Sequence, residues 1–390
     1  ILPAQNLEVG QELAILTSLP QDISSDTEVP ELDLLSTLNL EDGSGKDVYV
    51  QLPPCWQATD IVRTALQLIE PKAVNRHQYT KNGGFPLSHF LKLENLFGVT
   101  RNEVCLFRRG KANYARATIQ PDDKFARLLG YYLSEGCVSQ NGNTFKIIFT
   151  FAHHELEYVD DVADGLQNLG LRPCVEKRVS TIAVYATSWL LGHVLKNVWQ
   201  CGIGASSKAI PDFVFLWPHH LQKEVLKGLL RGDGSLTTKT NGNHAKISFA
   251  TASRKLFEQT VLLVQSQGAI PYIYLRSATE TQIKGRKHVR LPLWELEVSN
   301  FAGLKALTGV FSEERNTKLA TALARYNGTK YSFPRFTQSS EDVVSVKIKG
   351  IETQKVSECD VYDVEVDNTH LFVTTSGIIT HNCVGVPTVG

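Results

Sequence analysis

Two nine-residue stretches of the chain combine apolar residues with a small residue at every fourth position. They are residues 128–136 (LLGYYLSEG) and 226–234 (LKGLLRGDG), and their small residues are Gly130, Ser134, Gly228 and Gly232. Positions four apart share one helix face, and a face of glycine and serine lets two helix axes approach more closely than the usual distance of about 8–10 Å. The pattern predicts two short helices packed side by side, each ending in an acid and a glycine cap.

The two stretches belong to a longer internal repeat. Matching residues stand 98 positions apart: Gly130 and Gly228, Glu135 and Asp233, Gly170 and Gly268, Pro173 and Pro271. After each stretch the polarity alternates, at 143–151 and at 244–251, which indicates strands with one wet face. Helical patterns follow at 154–169 and 253–267. A unit of this kind that occurs twice predicts a domain with pseudo-two-fold symmetry and the paired helices on its axis.

Composition narrows the class of protein. A length of 390 residues suggests two or three domains, and a hydrophobic content of 42% is typical of a folded soluble protein. The chain has no run of about eighteen apolar residues, so no membrane partner is expected. Seven cysteines without paired spacing favour the reducing cytoplasm. The net charge is zero, but ten acids and one lysine give residues 1–47 a charge of −9 and leave +9 elsewhere.

The paired stretches resemble the two motifs of LAGLIDADG homing endonucleases. The resemblance covers residues 118–328, as repeats of about 118–215 and 216–328. It implies an α+β fold with two pseudo-symmetric repeats and site-specific cleavage of double-stranded DNA. The acid before the last glycine of each motif is the family's metal ligand, so the resemblance gives this role to Glu135 and Asp233. The first motif ends in glutamate instead of aspartate, which puts its activity in doubt.

The expected chemistry is metal-dependent hydrolysis of a phosphodiester, in which divalent ions stabilise the attacking and the leaving oxygen. Mg²⁺ prefers carboxylates and water, so Glu135 and Asp233 suffice as protein ligands if carbonyls and phosphates complete the shell. A lysine near each scissile phosphate can stabilise charge or polarise water. Lys208 resembles the family's lysine block, and Lys318 is the candidate in the second repeat. The alternative for each is an ordinary solvated lysine.

Cations on the predicted strands are the candidate DNA contacts. A twisted sheet, repeated about a two-fold axis, makes a basic saddle that can lie in the major groove. The cations expected to face DNA are Lys146, Lys177, Arg178, Lys246, Arg276, Arg286, Lys287 and Arg290, with Arg108 and Arg109 ahead of the repeats. A charged surface that faces only solvent is the alternative for each cluster.

The C-terminal residues 343–382 carry a second signature. Alternating strands around Asp363 and His370 precede a turn at Gly377, and the sequence His381-Asn382-Cys383 follows. An asparagine side chain can attack its own carbonyl and cleave the next peptide bond, while nearby histidines transfer the protons that this step needs. A cysteine thiol can accept an acyl group from an upstream thioester.

This segment resembles the C-terminal blocks of inteins, which have an all-β Hint-type splicing domain. The resemblance implies that Asn382 cyclises, that His370 and His381 act as acid and base, and that Cys383 is the acyl acceptor. It also implies that Asp363 tunes the nucleophile, and that splicing needs no cofactor. Residues 383–390 are then host protein, and they resemble a segment of phosphoribosylformylglycinamidine synthase.

The expected organisation is multi-domain, with an endonuclease inserted into a discontinuous splicing domain. The segments are 1–50 (splicing domain, N-side), 51–117 (linker or DNA-recognition insertion), 118–328 (endonuclease), 335–382 (splicing domain, C-side) and 383–390 (C-extein). The first nucleophile and the Thr-x-x-His block of an intein do not precede Ile1. The expected partners are therefore a missing N-terminal intein segment, the host exteins and the DNA of the host allele that lacks the intein.

Two other functions remain open at this point. One is a splicing module whose endonuclease domain is catalytically dead and only binds DNA. The other is a DNA-binding regulator that uses the LAGLIDADG fold without cutting. Metal-dependent cleavage of DNA excludes both, and release of residues 383–390 separates the first from the second.

Overall fold

The structure, a computed structural model, divides into two compact units. Unit 1 comprises residues 1–22 and 233–390, and unit 2 comprises residues 23–232. Within the described residues, no helix is long and apolar enough to cross a membrane. The described residues are 6–16, 29–38, 45, 47–56, 59–70, 72–97, 99–108, 114–142, 144–238, 245–283, 286–290, 292–325, 336–338, 340, 343–353, 366–374 and 377–381.

A small mixed region precedes the first repeat. In chain order, the elements up to residue 119 are β1 (Glu12–Leu16), β2 (Leu32–Asp33), β3 (Val48–Gln51), α1 (Asp60–Ile69), α2 (Ala73–Asn82), β4 (Gly84–Pro86), α3 (Leu87–Phe97), β5 (Cys105–Arg108), β6 (Ala115–Arg116) and β7 (Thr118–Ile119). In unit 2, β2 pairs with β7, and β3 lies in a sheet of order β4-β3-β5-β6. The strands of residues 1–50 are thus divided between the two units, because β1 belongs to unit 1.

The first repeat follows in unit 2, which also contains the first helix of the second repeat up to Gly232. Its elements are α4 (Asp123–Ser134), β8 (Gly136–Asn141), β9 (Thr144–Ala152), α5 (Leu156–Asn168), β10 (Cys174–Lys177), β11 (Thr181–Thr187) and α6 (Trp189–His193). Helix α4 begins after Asp122, whose carboxylate accepts a hydrogen bond from the Phe125 backbone N–H at 2.7 Å. The strands form an antiparallel sheet of order β10-β11-β9-β8. Buried and half-buried residues alternate along β9, so one face of the sheet packs on the core and the other faces outward.

The second repeat has a similar element order, with an additional hairpin inserted before its last sheet strand. It comprises α7 (His219–Asp233), β12 (Gly234–Thr238), β13 (Ala245–Thr251), α8 (Arg254–Ser266), β14 (Tyr272–Arg276), β15 (Thr279–Ile283), β16 (Arg286–Arg290), β17 (Leu293–Val298), α9 (Phe301–Ala306) and α10 (Glu313–Arg325). Its sheet order, β12-β13-β17-β14, corresponds to that of the first repeat. Gly170 and Gly268 both take left-handed backbone angles, with φ of 77° and 80°. The predicted two-repeat α+β fold is confirmed.

Strands from both ends of the chain pair within unit 1. β1 pairs antiparallel with β19 (Val343–Lys347), which also pairs with β18 (Phe336–Gln338). Strands β20 (Leu371–Val373) and β21 (Ile379–His381) form a hairpin, and Ile378 pairs with Ile15 of β1. Ile15 and Val344 are buried together with Ile270, which follows α8 of the second repeat. The apolar contact joins this β layer to the second repeat.

A network of buried charges supports the helices of the first repeat. Arg231 of α7 is 7% exposed, and its guanidinium donates to Asp161 at 2.9 Å and to the Tyr131 hydroxyl at 3.2 Å. Arg127 of α4 forms an ion pair with the same Asp161 carboxylate, with Nε 2.8 Å from the oxygen, and also pairs with Glu224. Burial lowers the pKa of Arg231, but Tyr131 and the neighbouring carboxylates outweigh it and raise the pKa above its ordinary value. Asp161 is therefore the carboxylate shared by the two arginines.

We expect the Asp161→Ala variant to lose about 3–5 kcal/mol of unfolding free energy, because two buried guanidinium groups lose their shared partner. Urea denaturation followed by circular dichroism measures this loss. Asp160→Ala changes the neighbouring exposed carboxylate on the same helix and is expected to stay within about 0.5 kcal/mol of the wild type. Equal stability of the two variants would contradict the structural role of Asp161.

Candidate active site

The two predicted helices, α4 and α7, pack with backbone against backbone. A Cβ atom placed on Gly130 would lie 2.1 Å from the Val225 carbonyl oxygen. A Cβ atom on Gly228 would lie 2.2 Å from the Arg127 carbonyl oxygen. Real Cβ atoms do not approach other heavy atoms this closely, so both positions require glycine. The small-residue face predicted from the sequence is therefore the packing face of this helix pair.

The paired helices run in the same direction. The contact of Gly130 with Gly228 is followed, one turn later, by a contact of Gly232 with Ser134. A Cβ atom on Gly232 would also lie 2.9 Å from Cγ of Glu135. Asp233 is the next residue after Gly232 and the last residue of α7. The two helices therefore end together, and each reaches its predicted acidic residue at that end.

Glycines 136 and 234 do not cap the helices in the predicted manner. Neither residue is among the glycines with positive φ, and each instead begins a strand, β8 or β12. Helix α4 ends at Glu135, which has right-handed angles of φ −99° and ψ −6°. Gly136 is needed for a different reason: a Cβ atom there would lie 2.5 Å from Cα of Tyr132. The prediction of a left-handed cap was wrong, because the chain turns directly into the sheet.

Lys208 is buried beside the end of α4. It is 4% exposed, and its ammonium group donates to the carbonyl oxygens of Tyr132 at 2.6 Å and Gly136 at 2.7 Å. It also lies 3.7 Å from the centre of the Tyr132 ring. These contacts bracket Glu135 in the chain, so Lys208 fixes the backbone on both sides of the predicted metal ligand. A surface lysine, the alternative raised from the sequence, does not describe this position.

Lys318 occupies a different environment from Lys208. It lies on α10, where its ammonium group pairs with the exposed Glu314 carboxylate at 2.6 Å, one helical turn away. The side chain of Lys318 is 58% exposed. Lys318 therefore lies at the surface, unlike the buried Lys208, and its catalytic role stays a prediction.

The outward face of the first-repeat sheet presents cations beside aromatic and polar groups. The Lys146 ammonium group lies 3.3 Å from the centre of the Tyr185 ring on the neighbouring strand. Lys177 is exposed at the end of β10, and Arg178 follows it and pairs with Glu176 at 3.1 Å. The predicted cations Lys146, Lys177 and Arg178 are therefore all accessible to a partner on this sheet.

In the second-repeat sheet, two of the predicted cations form ion pairs with acids of the same sheet. Lys246 pairs with Glu297 at 3.0 Å, and Arg276 pairs with Glu295. Both acids belong to β17, the strand between β13 and β14. The other cations predicted for this repeat, Arg286, Lys287 and Arg290, lie on β16, which pairs with β15, and their side chains lie outside the described part of the structure.

Arg108 lies between the region before the repeats and the first repeat. Its guanidinium carbon is 3.9 Å from the centre of the Trp189 ring, at the wall of a cavity of about 260 Å³. Burial lowers its pKa from the ordinary arginine value. This position gives Arg108 a packing role in unit 2, and its contact with DNA stays a prediction. Arg109 lies outside the described residues.

The two histidines predicted to assist splicing lie together in unit 1. His370 precedes β20 and His381 ends β21, and the centres of their rings are 5.6 Å apart. Leu371, next to His370, is paired directly with His381 in the hairpin. The three other residues assigned to splicing, Asp363, Asn382 and Cys383, lie outside the described residues.

The donor set fits a sparsely liganded metal. Within the described ranges, no group of three or more His, Cys, Asp or Glu side chains could hold a metal ion. A magnesium ion that uses one or two carboxylates with water and phosphate needs no such cluster. The acids at the ends of α4 and α7 are carboxylates of the kind that such an ion uses.

The charged residues that stabilise the helix pair were not predicted from the sequence. Arg127, Asp161 and Arg231 were not among the predicted site residues, although the structure places them along α4 and α7. A signal was present: Arg127 directly precedes one of the two apolar stretches predicted to pair, and Arg231 lies within the other. Charged residues in such positions need a buried partner. The partner itself, Asp161 on α5, could not be identified from spacing.

Comparisons with known proteins agree with this geometry. A family model described as a LAGLIDADG-like domain matches residues 122–195 and, a second time, residues 221–297. The first match runs from α4 past β11, and the second from α7 into β17. The chain therefore contains a LAGLIDADG-endonuclease-like α+β fold with two repeats, as the resemblance implied.

Several longer proteins contain a related segment. An uncharacterized protein of Methanocaldococcus jannaschii is 28% identical over 333 residues, which cover 83% of this chain and 36% of that protein. The DNA polymerase II large subunit of Thermococcus kodakarensis is 24% identical over 333 residues, covering 80% of this chain and 17% of the subunit. The ATP-dependent DNA helicase Hel308 of the same organism is 25% identical over 267 residues, covering 67% and 21%. This chain spans little more than a third of the first relative and less of the others.

Solved structures of a homing endonuclease are also similar to this chain. Mesophilic variants of I-DmoI share 15% identity with it, cover 50% of this chain and 96% of their own, and give a TM-score of 0.36. A complex of I-DmoI with DNA and Mn shares 13% identity, covers 52% and 97%, and gives a TM-score of 0.33.

We expect the Gly228→Ala variant to lose about 2 kcal/mol or more of unfolding free energy, because an added methyl group meets backbone atoms of α4 that cannot rotate away. Gly165→Ala is the matched control in α5. There the nearest atom is Cβ of Leu128 at 3.2 Å, and the gain in helix propensity offsets a small adjustment. Thermal and urea unfolding of both variants measure the difference, and a Gly228→Ala protein as stable as Gly165→Ala would refute the close packing.

Proposed function

We propose that this chain is part of an intein that carries a site-specific, metal-dependent DNA endonuclease. The endonuclease proposal rests on the pairing of α4 and α7, which brings two helix ends together, each with an acidic residue. Such a pair suits DNA cleavage because the two strands of a duplex present two scissile phosphates related by a dyad. One acid from each repeat would then serve one of the two scissile phosphates.

Each residue of the proposed site has a limited task. Glu135 and Asp233 would hold divalent metal, with Mg²⁺ as the expected ion, and the bound metal supplies charge stabilisation for the attacking and leaving oxygens. Lys208 keeps the backbone on both sides of Glu135 in place through two carbonyl contacts. The glycines of the helix pair set the separation of the two acidic ends, so the chain fixes the distance between the two cleavage events.

The outward sheet faces are the proposed surface for double-stranded DNA. In the first repeat, Lys146 and Lys177 are available to phosphates, and Arg178 first has to exchange Glu176 for a phosphate oxygen. In the second repeat, Lys246 and Arg276 first have to exchange Glu297 and Glu295 for phosphate oxygens. Such an exchange releases counterions from the DNA, so binding should weaken steeply with salt. The preferred substrate is the host allele that lacks the intein, because a homing nuclease cuts the uninterrupted junction.

We expect Asp233→Asn to reduce the rate of double-strand cleavage at least about 100-fold, because the neutral amide is a poor metal ligand. The assay follows linearisation of a plasmid that carries the uninterrupted host sequence, with Mg²⁺ and with EDTA. Glu135→Gln tests the first repeat in the same way, and Asp160→Asn is the control for loss of an exposed acid. Binding without cutting by the wild-type protein would favour a dead nuclease or a non-cutting regulator.

Splicing is the second part of the proposal, and the spread of the relatives supports it. A polymerase subunit and a helicase have unrelated names, yet a segment similar to most of this chain occupies only 17% and 21% of them. This distribution is typical of an element inserted into different host proteins. The pairing of β1 with β19, from opposite ends of the chain, is what a splicing domain interrupted by an endonuclease requires.

The histidine pair supports the chemistry at the proposed splice junction. His370 and His381 face each other at the open end of the β20–β21 hairpin, and His381 directly precedes Asn382. A neutral histidine can accept the proton of the asparagine amide, and a protonated one can deliver a proton to the departing amine. Cys383 then begins the host segment and is the proposed acyl acceptor. The N-terminal intein segment and the exteins are the proposed polypeptide partners.

We expect the purified chain to release residues 383–390, and we expect Asn382→Ala to abolish the release because alanine cannot cyclise. His381→Ala should slow the release about 100-fold or more through loss of the proton donor. Intact-protein mass spectrometry over time follows the reaction, with Asn141→Ala, an exposed asparagine on β8, as the control. A mass that stays at the full-chain value in the wild-type protein would exclude autonomous C-terminal cleavage.

A further inference from the structure

The region before the first repeat contains a helix that packs through Tyr79, whose ring centre lies 6.1 Å from that of the buried Phe85. Helix α2 has the sequence AVNRHQYTKN and contributes no buried residue. Its N-cap, Lys72, makes no side-chain capping bond, and its composition is rich in weak helix formers. Tyr79 holds the helix against the residues that follow it, and the exposed polar side chains of the helix are not needed for this packing.

Fixed contacts at both ends hold α2 in place. At the start, the Glu70 carboxylate accepts a hydrogen bond from the Lys72 backbone N–H at 3.0 Å, and the Glu70 carbonyl accepts one from Arg76 at 2.6 Å. At the end, Gly83 takes a left-handed conformation with φ of 66°, and Gln51 donates to the Asn82 carbonyl at 3.0 Å. Three residues, 70–72, join α1 to α2. Two consecutive helices thus precede β4, and the second one presents exposed side chains to solvent.

The exposed surface of α2 forms one continuous face. Val74, His77, Gln78 and Lys81 stand at positions i, i+3, i+4 and i+7, and all four are exposed, Val74 at 79%. Positions with this spacing line one side of a helix. Glutamine and lysine are side chains that read base edges in the major groove, and an apolar group fits the methyl of thymine. The face combines these groups and has no acidic residue.

A basic groove beside this face points to a phosphate backbone. The groove has a volume of about 570 Å³ and lies between α1 and α2, and its lining includes Arg63, Arg76 and Lys81. No acidic side chain lines it. Arg63 pairs only weakly with Asp60, which is 95% exposed, so that pair can open for a phosphate. In helix–turn–helix proteins, the first helix crosses the DNA backbone while the second enters the major groove.

We propose that α2 is a second DNA-reading element, which enters the major groove of double-stranded DNA through His77, Gln78 and Lys81 while Arg63 contacts the phosphate backbone. The choice of DNA as the partner rests on the proposed function. The surface consists of residues outside the two repeats and does not include Glu135 or Asp233. It would add DNA contacts from a part of the chain that precedes the repeats.

The test compares the wild-type chain with the triple variant His77→Ala, Gln78→Ala, Lys81→Ala. Alanine has the highest helix propensity, and none of the three side chains is buried, so the helix is retained. The control makes the same exchanges at His154, Gln167 and Lys255, which are exposed on or beside α5 and α8. Circular dichroism checks that all three proteins are folded.

Fluorescence anisotropy measures binding to a labelled duplex of about 40 base pairs, selected by the wild-type protein from a random library, between about 50 and 200 mM salt. We expect the triple variant to bind at least about tenfold more weakly and its salt dependence to fall by about one counterion, with the control unchanged. Repeating the selection with the triple variant should relax the preference at one flank of the site.

Equal affinity, salt dependence and sequence preference in the wild-type and triple-variant proteins would overturn the proposal and leave α2 as a surface for a protein partner. A wild-type protein that selects no DNA would overturn it as well. A failure of the endonuclease proposal gives a different result in the cleavage assay, in which the protein binds DNA but does not cut it. The cleavage rate and the flank preference therefore report on the two proposals separately.

Discussion

The backbone contact between α4 and α7 is the constraint on which the remaining structure depends. Two helices can approach this closely only where each lacks a Cβ atom at the crossing, which Gly130 and Gly228 satisfy for each other. Helix α4 leads into β8 at Gly136, and α7 leads into β12 at Gly234. A change in the helix spacing would disturb the end of α4, where a Cβ atom on Gly232 would lie 2.9 Å from Cγ of Glu135. Stability and the proposed chemistry depend on the same few atoms.

The repeats are related in architecture but differ in their support. In the first repeat, Lys208 is buried against the end of α4, whereas Lys318 of the second repeat is exposed and pairs with Glu314. Arg127 and Arg231 both use Asp161 of the first repeat. The outward cations also differ, since Lys246 and Arg276 of the second sheet pair with acids of β17, whereas Lys146 of the first sheet lies against the Tyr185 ring. The two repeats therefore share a fold but differ in their electrostatics.

The sequence was sufficient for those features that periodicity determines. Glycine spacing identified the helix pair, the 98-residue offset identified the repeat, and alternating polarity identified β9 and β13. It was insufficient where the outcome depended on contacts between distant residues. The caps expected at Gly136 and Gly234 are absent because the helix leads straight into a strand. The burial of Lys208 depends on carbonyls more than seventy residues away, and the sharing of Asp161 depends on how α5 packs. The exposed face of α2 was missed because a polar helix leaves no hydrophobic period to detect.

Within unit 1, the β layer formed by β1, β18–β19 and the β20–β21 hairpin depends on the second repeat for part of its core. Ile15 and Val344, from opposite ends of the chain, share their core with Ile270, which stands directly after α8. At the turn before β21, a Cβ atom on Gly377 would lie 1.9 Å from the side-chain amide nitrogen of Gln265 on α8. The hairpin that carries His370 and His381 is therefore seated on a helix of the second repeat. A β layer this small cannot bury a large core by itself, so the repeat supplies the apolar surface that keeps the two ends of the chain together. If splicing and DNA cleavage both occur in this chain, the domain interrupting the splicing sheet also stabilises it.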